Sequence, residues 1–463
     1  MIINTETLRE RIHGVILNKK DQGHQIDNLQ DELDDLPSNY DDLMNFAKKL
    51  SSLEIKSDWP YVEPNSINEI FNEMDPSRPL GKIGKVDLAD SAKRVEAAFL
   101  GSICGCILGK PLEAQLTGQE IKLALTEIDE WPMKKYVSKD IKSALPRVHN
   151  SFPETAREYI KFVAPDDDIN YTIMGMLILE KFGSDFTHAD MRNLWLTHLP
   201  INTTFGPERT ILLKTGIESL NGMPRSRFSE KGGVGENEQL DIKSEQENDL
   251  FKHILNPGDE LCGALIRADA YGYAFPGNPS KSSELAWKDA SFTHSRTGIY
   301  GTMFIAAAIS CAQVMDNRNS VIETALQFVP QKSRFFERTL NCYKAILESS
   351  NWEEGYNKIN AELGEYGHCR IYQEVGMLIN TFLFAKNVGD GICIQVSQGA
   401  DTDSFGATVG SLLGAYFGPG HLDEDWLKPF NDDIHTGLAW FFERSISKLA
   451  NRMSRLPSIV EKV

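Results

Sequence analysis

Residues 398–418 read QGADTDSFGATVGSLLGAYFG. Two aspartates, Asp401 and Asp403, and a hydroxyl, Ser404, stand at the mouth of an apolar segment in which Gly406, Gly410 and Gly414 recur every fourth residue. Glycine costs about 1 kcal/mol against alanine inside a helix. Three on one helical face therefore require a compensating contact, either a backbone that approaches closely or a ligand that needs room. One carboxylate can cap the helix. A second like charge one residue away needs a cation, a ligand or water.

The same glycine spacing occurs at Gly101, Gly105 and Gly109 within FLGSICGCILGKPLEAQ, residues 99–115. A second acidic group opens APDDDINYTIMGMLILEKFG, residues 164–183, where Asp166, Asp167 and Asp168 precede an apolar segment ending at Gly183, a C-cap. An acidic first turn suits the helix dipole, and one aspartate can cap. Capping accounts for one or two of the three, and adjacent carboxylates at a buried helix start call for neutralisation. Two distant helix starts thus supply five aspartates and a serine, an all-oxygen donor set of the kind hard cations such as Mg²⁺, Ca²⁺ or Mn²⁺ take. A two-metal hydrolytic centre is the natural form for so many acids.

The remainder reads as a large helical protein. Apolar helical patterns run from Leu88 to about Leu220 and from Leu255 to Phe442, several of them apolar on all sides, as buried helices are. Segments 289–315 and 374–396 each read as a helix, and 436–456 as an amphipathic basic one. Residues 222–250 are polar and glycine-containing, a surface insertion in a domain spanning 91–463. Residues 1–90 differ in texture. From Asp21 to Ala47 there are eight acids and no lysine or arginine, with a helical pattern placing Leu43, Phe46 and Leu50 on one face. This segment is either a solvated extension or an acidic arm that docks on a basic protein.

The net charge of −18 argues against nucleic acid or anionic membrane as partners. Seven cysteines without a CxxC pair point to a reducing compartment, and the N-terminus lacks a signal peptide's apolar core, so a cytoplasmic protein is expected. No run of about 18 apolar residues predicts a membrane span.

GADTDSFGATVGSLLGAYFG resembles the signature of the ADP-ribosylglycohydrolases, G-x-D-T-D-[ST] followed by a small-residue helix. FLGSICGCILGKPLEAQ resembles that family's opening glycine helix, which ends in a glutamate, here Glu113. PDDDINYT resembles its paired-aspartate metal motif, and LIRADAYGYAFPGNPSKSSELAWKDASFTHSRTGIYGTMFIAAAI (265–309) its central segment. The motifs follow the family's order from about Val95 to Phe417. Three departures matter: Cys106 stands where the family has aspartate; in the metal motif Asp166 stands for a hydroxyl and Ile169 for threonine; and residues 1–90 lie outside the family core. The DDDIN form, like GKPLE and RADAYGY, belongs to a divergent branch.

The resemblance implies an all-α orthogonal multi-helix fold with a central dimetal cleft holding two Mg²⁺, for which Mn²⁺ can substitute. It implies metal ligands at Asp166, Asp167, Asp168, Asp401, Asp403 and Ser404. The substrate would be an ADP-ribosylated protein, most often modified on arginine, cleaved at the anomeric carbon. Asp168 or Asp403 would take the proton of the attacking water, and Glu113 would gate or assist. His294, Gly399 and Phe405 would border the nucleotide, with Tyr171, Tyr300 and Arg267 nearby. Some members of the family resemble immunity proteins that reverse and block an ADP-ribosyltransferase toxin, and residues 1–90 would be the docking arm. The alternatives are a stoichiometric inhibitor whose metal site is dispensable, and another metal-dependent hydrolase on a helical fold.

Overall fold

The computed structural model describes residues 4–221 and 254–460. The polar insertion at 222–250 lies outside them. Among the described residues the ordered elements are α-helices and short 3-10 turns, with isolated β-bridges and no strand, so the fold is all-α as expected.

Two helices form the axis. Leu88–Gly109 begins at Asp87, whose carboxylate caps Ala89 and Asp90, and becomes almost entirely buried beyond Val95. By length and composition Leu88–Leu112 could cross a membrane, contrary to the sequence expectation, but most of it is buried inside the protein. Thr402–Phe417 packs antiparallel on it. A Cβ placed on Gly105 would sit 1.9 Å from the Gly406 carbonyl oxygen, one on Gly101 2.4 Å from that of Gly410, and one on Gly109 2.0 Å from that of Thr402. The reverse additions at Gly406 and Gly410 would meet Gly105 and Gly101 carbonyls at 2.5 and 2.2 Å. The two glycine stripes are thus the two faces of a single contact, and backbone of the facing helix fills the room each leaves.

Helices 297–312, 371–384 and 388–397 enclose this pair, and all three are largely buried. The expected helix over 289–315 is broken: Pro279–Ala290 ends, Arg296 turns with φ +43°, and a new helix starts at Thr297. The break seats Ser295 N–H on the Asp259 carbonyl at 2.9 Å. The expected helix over 374–396 breaks at Asn387, whose side chain caps Asp390 N–H. Of the C-terminal pattern only Ile446–Met453 and Leu456–Val460 are helical. Trp440 and Phe442 before them are exposed, so this stretch covers less apolar surface than its sequence suggests.

Residues 5–50 form three helices around a core of their own that includes Leu8, Ile12, Leu33, Leu43, Phe46 and Leu50. Segment 59–65 ties them down. The Arg334 guanidinium bonds Glu63 at 2.9 Å, Glu260 at 2.6 Å and the Asp21 carbonyl at 2.9 Å. Tyr300 donates to the Pro64 carbonyl at 2.5 Å, and Trp287 to that of Asn65 at 2.8 Å.

Two outcomes follow from this packing. Gly105→Val inserts a branched side chain against a backbone that cannot retreat, so urea denaturation is expected to register a loss of about 3 kcal/mol or more, or no soluble protein. Gly81→Ala, where an added Cβ meets nothing within 4 Å, is expected to stay within about 0.5 kcal/mol. The second outcome concerns Asp269, buried between the axis helices and Tyr273. Burial pushes its carboxyl up to about 7, against hydrogen bonds from Ser411 and Tyr273 that act the other way. The native state therefore holds this proton more tightly than the unfolded chain. The resulting stability is complete below about pH 4 and lost as pH rises through about 7. Asp269→Asn should flatten the fall in melting temperature over that window, and an unchanged slope would remove Asp269 as its source.

Candidate functional site

The glycine contact decides what meets at the helix ends. Gly109 packs on Thr402, whose hydroxyl donates to the Gly109 carbonyl at 2.9 Å. The next residues along the two segments, Lys110 and Asp403, meet beside this contact. Pro111 has no N–H to continue the helix, and the chain tightens into a 3-10 turn, Lys110–Leu112, that ends at Glu113. The Lys110 ammonium lies 3.1 Å from Asp403, 3.2 Å from Glu113 and 2.5 Å from Asp166, with only 7% of the residue exposed.

Helix Asp167–Phe182 delivers the other acidic motif. Asp166 is its N-cap, one carboxylate oxygen accepting Asp168 N–H at 2.9 Å while the other faces Lys110. The expected C-cap, Gly183, is observed with φ +63°. Asp168 is buried. One of its oxygens accepts the Ser404 hydroxyl at 3.4 Å, and the other has no hydrogen-bond partner. Asp167 is half-buried at the mouth. The Cys106 thiol lies beside Asp166 and Asp168, the three ligating atoms falling within 4.8 Å of one another.

Asp401 stands at the N-cap of Thr402–Phe417 but its side chain makes no capping bond, contrary to the simplest sequence reading. It accepts instead from two thiols, Cys262 at 3.1 Å and Cys369 at 3.3 Å. Asp403 accepts from its neighbour Ser404 N–H at 3.0 Å.

Electrostatics divide these acids. Burial would raise Asp403, but the Lys110 ammonium and hydrogen bonds from Glu113 and Asp401 hold it below the usual carboxylate range. Burial and the Asp403 charge push Glu113 up to about 11, so it keeps its proton. Burial, then Asp403, brings Asp401 to about 6. Asp168 is driven well above its ordinary value by burial and by the Asp166 and Asp403 charges. Lys110 stays protonated, since the Asp166 and Asp403 charges outweigh the cost of its burial. One ammonium leaves this set of acids under-neutralised.

These residues fit a hard divalent cation. The donors of Asp166, Asp168, Asp401, Asp403 and Ser404 are all oxygen, and the unpartnered Asp168 oxygen and the elevated carboxyls mark charge without a counterion. Lys110 nevertheless occupies part of the space and supplies part of the charge that a two-cation centre would claim.

The other expected residues divide. Glu113 belongs to the site. Gly399 has φ +80° and forms an antiparallel bridge with Thr117, where a Cβ would meet backbone at 2.6 Å, so it joins the Glu113 loop to the signature turn. Phe405 is buried beneath that turn. His294 is fully buried in a separate network, 2.8 Å from the Thr293 hydroxyl and 3.5 Å from Glu208. In the same network Arg267 binds Asp289 and Glu208, and Tyr171 stacks on Trp195 with its hydroxyl unpartnered. Tyr300 is engaged with Pro64 on the N-terminal strap.

Sequence reasoning missed Lys110, Cys262, Cys369, His368 and Glu374. Only Lys110 left a signal, as the residue directly after a glycine stripe. Removing it isolates buried carboxylates that it neutralises. In chelator, Lys110→Met is expected to lose about 3 kcal/mol, the usual cost of breaking a buried ion pair. Mn²⁺ should restore much of that loss by binding the native state. Manganese counted by electron paramagnetic resonance should exceed the wild-type number per chain. Equal counts would show that Lys110 does not compete for the cation position.

The sequence profile described as ADP-ribosylglycohydrolase matches residues 87–457, well over half of the chain. No curated protein sequence matches. A solved structure titled "ADP-ribosylglycohydrolase-related protein complex" is similar at 15% identity and a TM-score of 0.48, covering 80% of this chain and 99% of that one.

Proposed function

This chain belongs to the ADP-ribosylglycohydrolase family, and from that premise we propose that it hydrolyses ADP-ribose from modified arginine side chains of proteins, with Mg²⁺ or Mn²⁺ held by Asp166, Asp167, Asp168, Asp401, Asp403 and Ser404. The family places it among hydrolases acting on ADP-ribose conjugates. The observation that carries the reading is the convergence of the two aspartate motifs, with Ser404 donating to Asp168 at 3.4 Å beside the Asp403–Lys110 pair at 3.1 Å.

Cleavage at an anomeric carbon passes through an oxocarbenium-like state, which fixed anions stabilise. Asp403, kept ionised by Lys110, suits that role. A bound hard cation supplies a site for the ribose hydroxyls and acidifies a water. Asp168 or Asp403 would take the proton of that water. Glu113 retains a proton at the rim, where it can reach a departing guanidine. Lys110 holds Asp166, Asp403 and Glu113 in register.

We propose further that the helices at 29–50 dock on a basic protein surface, such as the NAD-binding cleft of an ADP-ribosyltransferase toxin, in the manner of an immunity protein. Asp31, Glu32, Asp34, Asp35 and Asp41 are all exposed on them, and Asp27 is exposed just before the first, which supports this reading. Rim charges of this kind act chiefly on association rate and its salt dependence.

Purified protein incubated with Mg²⁺ and an arginine-ADP-ribosylated protein should release free ADP-ribose. Asp401→Ala/Asp403→Ala should lower the rate by at least about 100-fold while circular dichroism still shows a helical fold. Release that is equally fast in the double variant, or absent with both arginine- and serine-linked substrates, would overturn the hydrolase reading.

A further inference from the structure

Asp401 faces two chemistries. On one side is the oxygen-rich cluster. On the other are Cys262 and Cys369, both directed at the same carboxylate oxygen at 3.1 and 3.3 Å. The thiols come from segments far apart in sequence. An antiparallel bridge between Leu261 and Arg370, with Cys262 N–H donating to the Cys369 carbonyl at 3.2 Å, sets them side by side. Cys369 is held at φ +61°, a left-handed conformation uncommon outside glycine. Its N–H is fastened to Glu374 at 2.9 Å, and Glu374 also accepts Asp401 N–H at 3.2 Å. The second Glu374 oxygen is buried without a hydrogen-bond partner on a residue 1% exposed. The Sγ atoms and the Asp401 oxygen all lie within 4.8 Å of one another. His368 flanks the group, its ligating nitrogen within 4.8 Å of Asp401 and Glu113 oxygens, and its Nδ1 has no partner.

We propose that Cys262, Cys369 and Asp401 form a site for a thiophilic divalent ion of the zinc class, distinct in ligand chemistry from the all-oxygen cluster. Two sulfurs and one carboxylate oxygen give three protein donors and leave a fourth position for water or for His368, which suits a tetrahedral ion. Thiolates select zinc-like ions over magnesium, which prefers oxygen. Binding replaces the two thiol protons with two sulfur–metal bonds and releases both protons to solvent, with no change of oxidation state. Because Asp401 is shared, an ion held by the thiols draws that carboxylate away from the oxygen cluster. A thiophilic ion is thereby an antagonist of the hard cation at its neighbour's expense. The inference concerns binding and stands apart from the substrate assignment.

Cobalt(II) is the probe. Full-length protein is stripped of metal and kept reduced, and both thiols are verified by thiol titration. Co²⁺ is then added. The expected result is a near-ultraviolet thiolate-to-cobalt charge-transfer band with tetrahedral visible bands, saturating at one ion per chain and bleached by Zn²⁺. Cys262→Ser/Cys369→Ser should abolish the charge-transfer band while Mn²⁺ binding, read by paramagnetic resonance, persists. Asp401→Asn, which keeps both thiols, should weaken Co²⁺ binding at least about tenfold. A reduced protein that gives no charge-transfer band in excess Co²⁺ would overturn the proposal. So would a band that survives the double serine variant.

Discussion

The contact between two glycine stripes governs this protein. Helices 88–109 and 402–417 approach so closely that carbonyl oxygens of each occupy the volume a Cβ would take on the other. Such contact forfeits helix propensity at six positions, about 1 kcal/mol each against alanine, and is offset by close packing along the molecule's central axis. Its functional consequence lies at one end. A rigid backbone-to-backbone approach fixes the offset between Gly109 and Thr402, and hence between Lys110 and Asp403, more tightly than side-chain packing could.

Around that fixed point the acids acquire different characters. Asp166, Asp401 and Asp403 are all buried, yet one caps a helix, one receives two thiols and one is pinned by an ammonium. For Asp401 and Asp403 burial by itself favours the protonated form. Lys110 sets the pattern by favouring ionised Asp403, whose charge then keeps Glu113 protonated. At the proposed cation site the Lys110 ammonium would compete with a metal for the same carboxylates.

The N-terminal helices occupy a separate structural level. They carry their own small core and reach the main body through Arg334, which joins Glu63, Glu260 and the Asp21 carbonyl. That arginine is buried and fully paired with charged groups, an arrangement that defines a single docking geometry at a cost in desolvation. The acidic faces of the same helices remain in solvent, so the segment is anchored by one surface and free on the other.

Several features were legible from local sequence: helix 40–50 from its apolar face, an aspartate cap within 166–168 and a C-cap at Gly183, and both glycine stripes as sites of close approach. These depend on near-neighbour periodicity or on a residue's own steric freedom, which travel with the chain. Continuous helices at 289–315 and 374–396 were misread, because the breaks at Arg296 and Asn387 arise from tertiary seating and a cap inside otherwise apolar runs. The donor chemistry of the oxygen cluster was likewise written in the aspartate motifs themselves. What only the tertiary structure decided was the company each carboxylate keeps. Lys110 is 293 residues from Asp403, and Cys262 is 139 from Asp401. No local pattern encodes such pairings, because they exist only after two backbones have met at a distance that glycine alone permits.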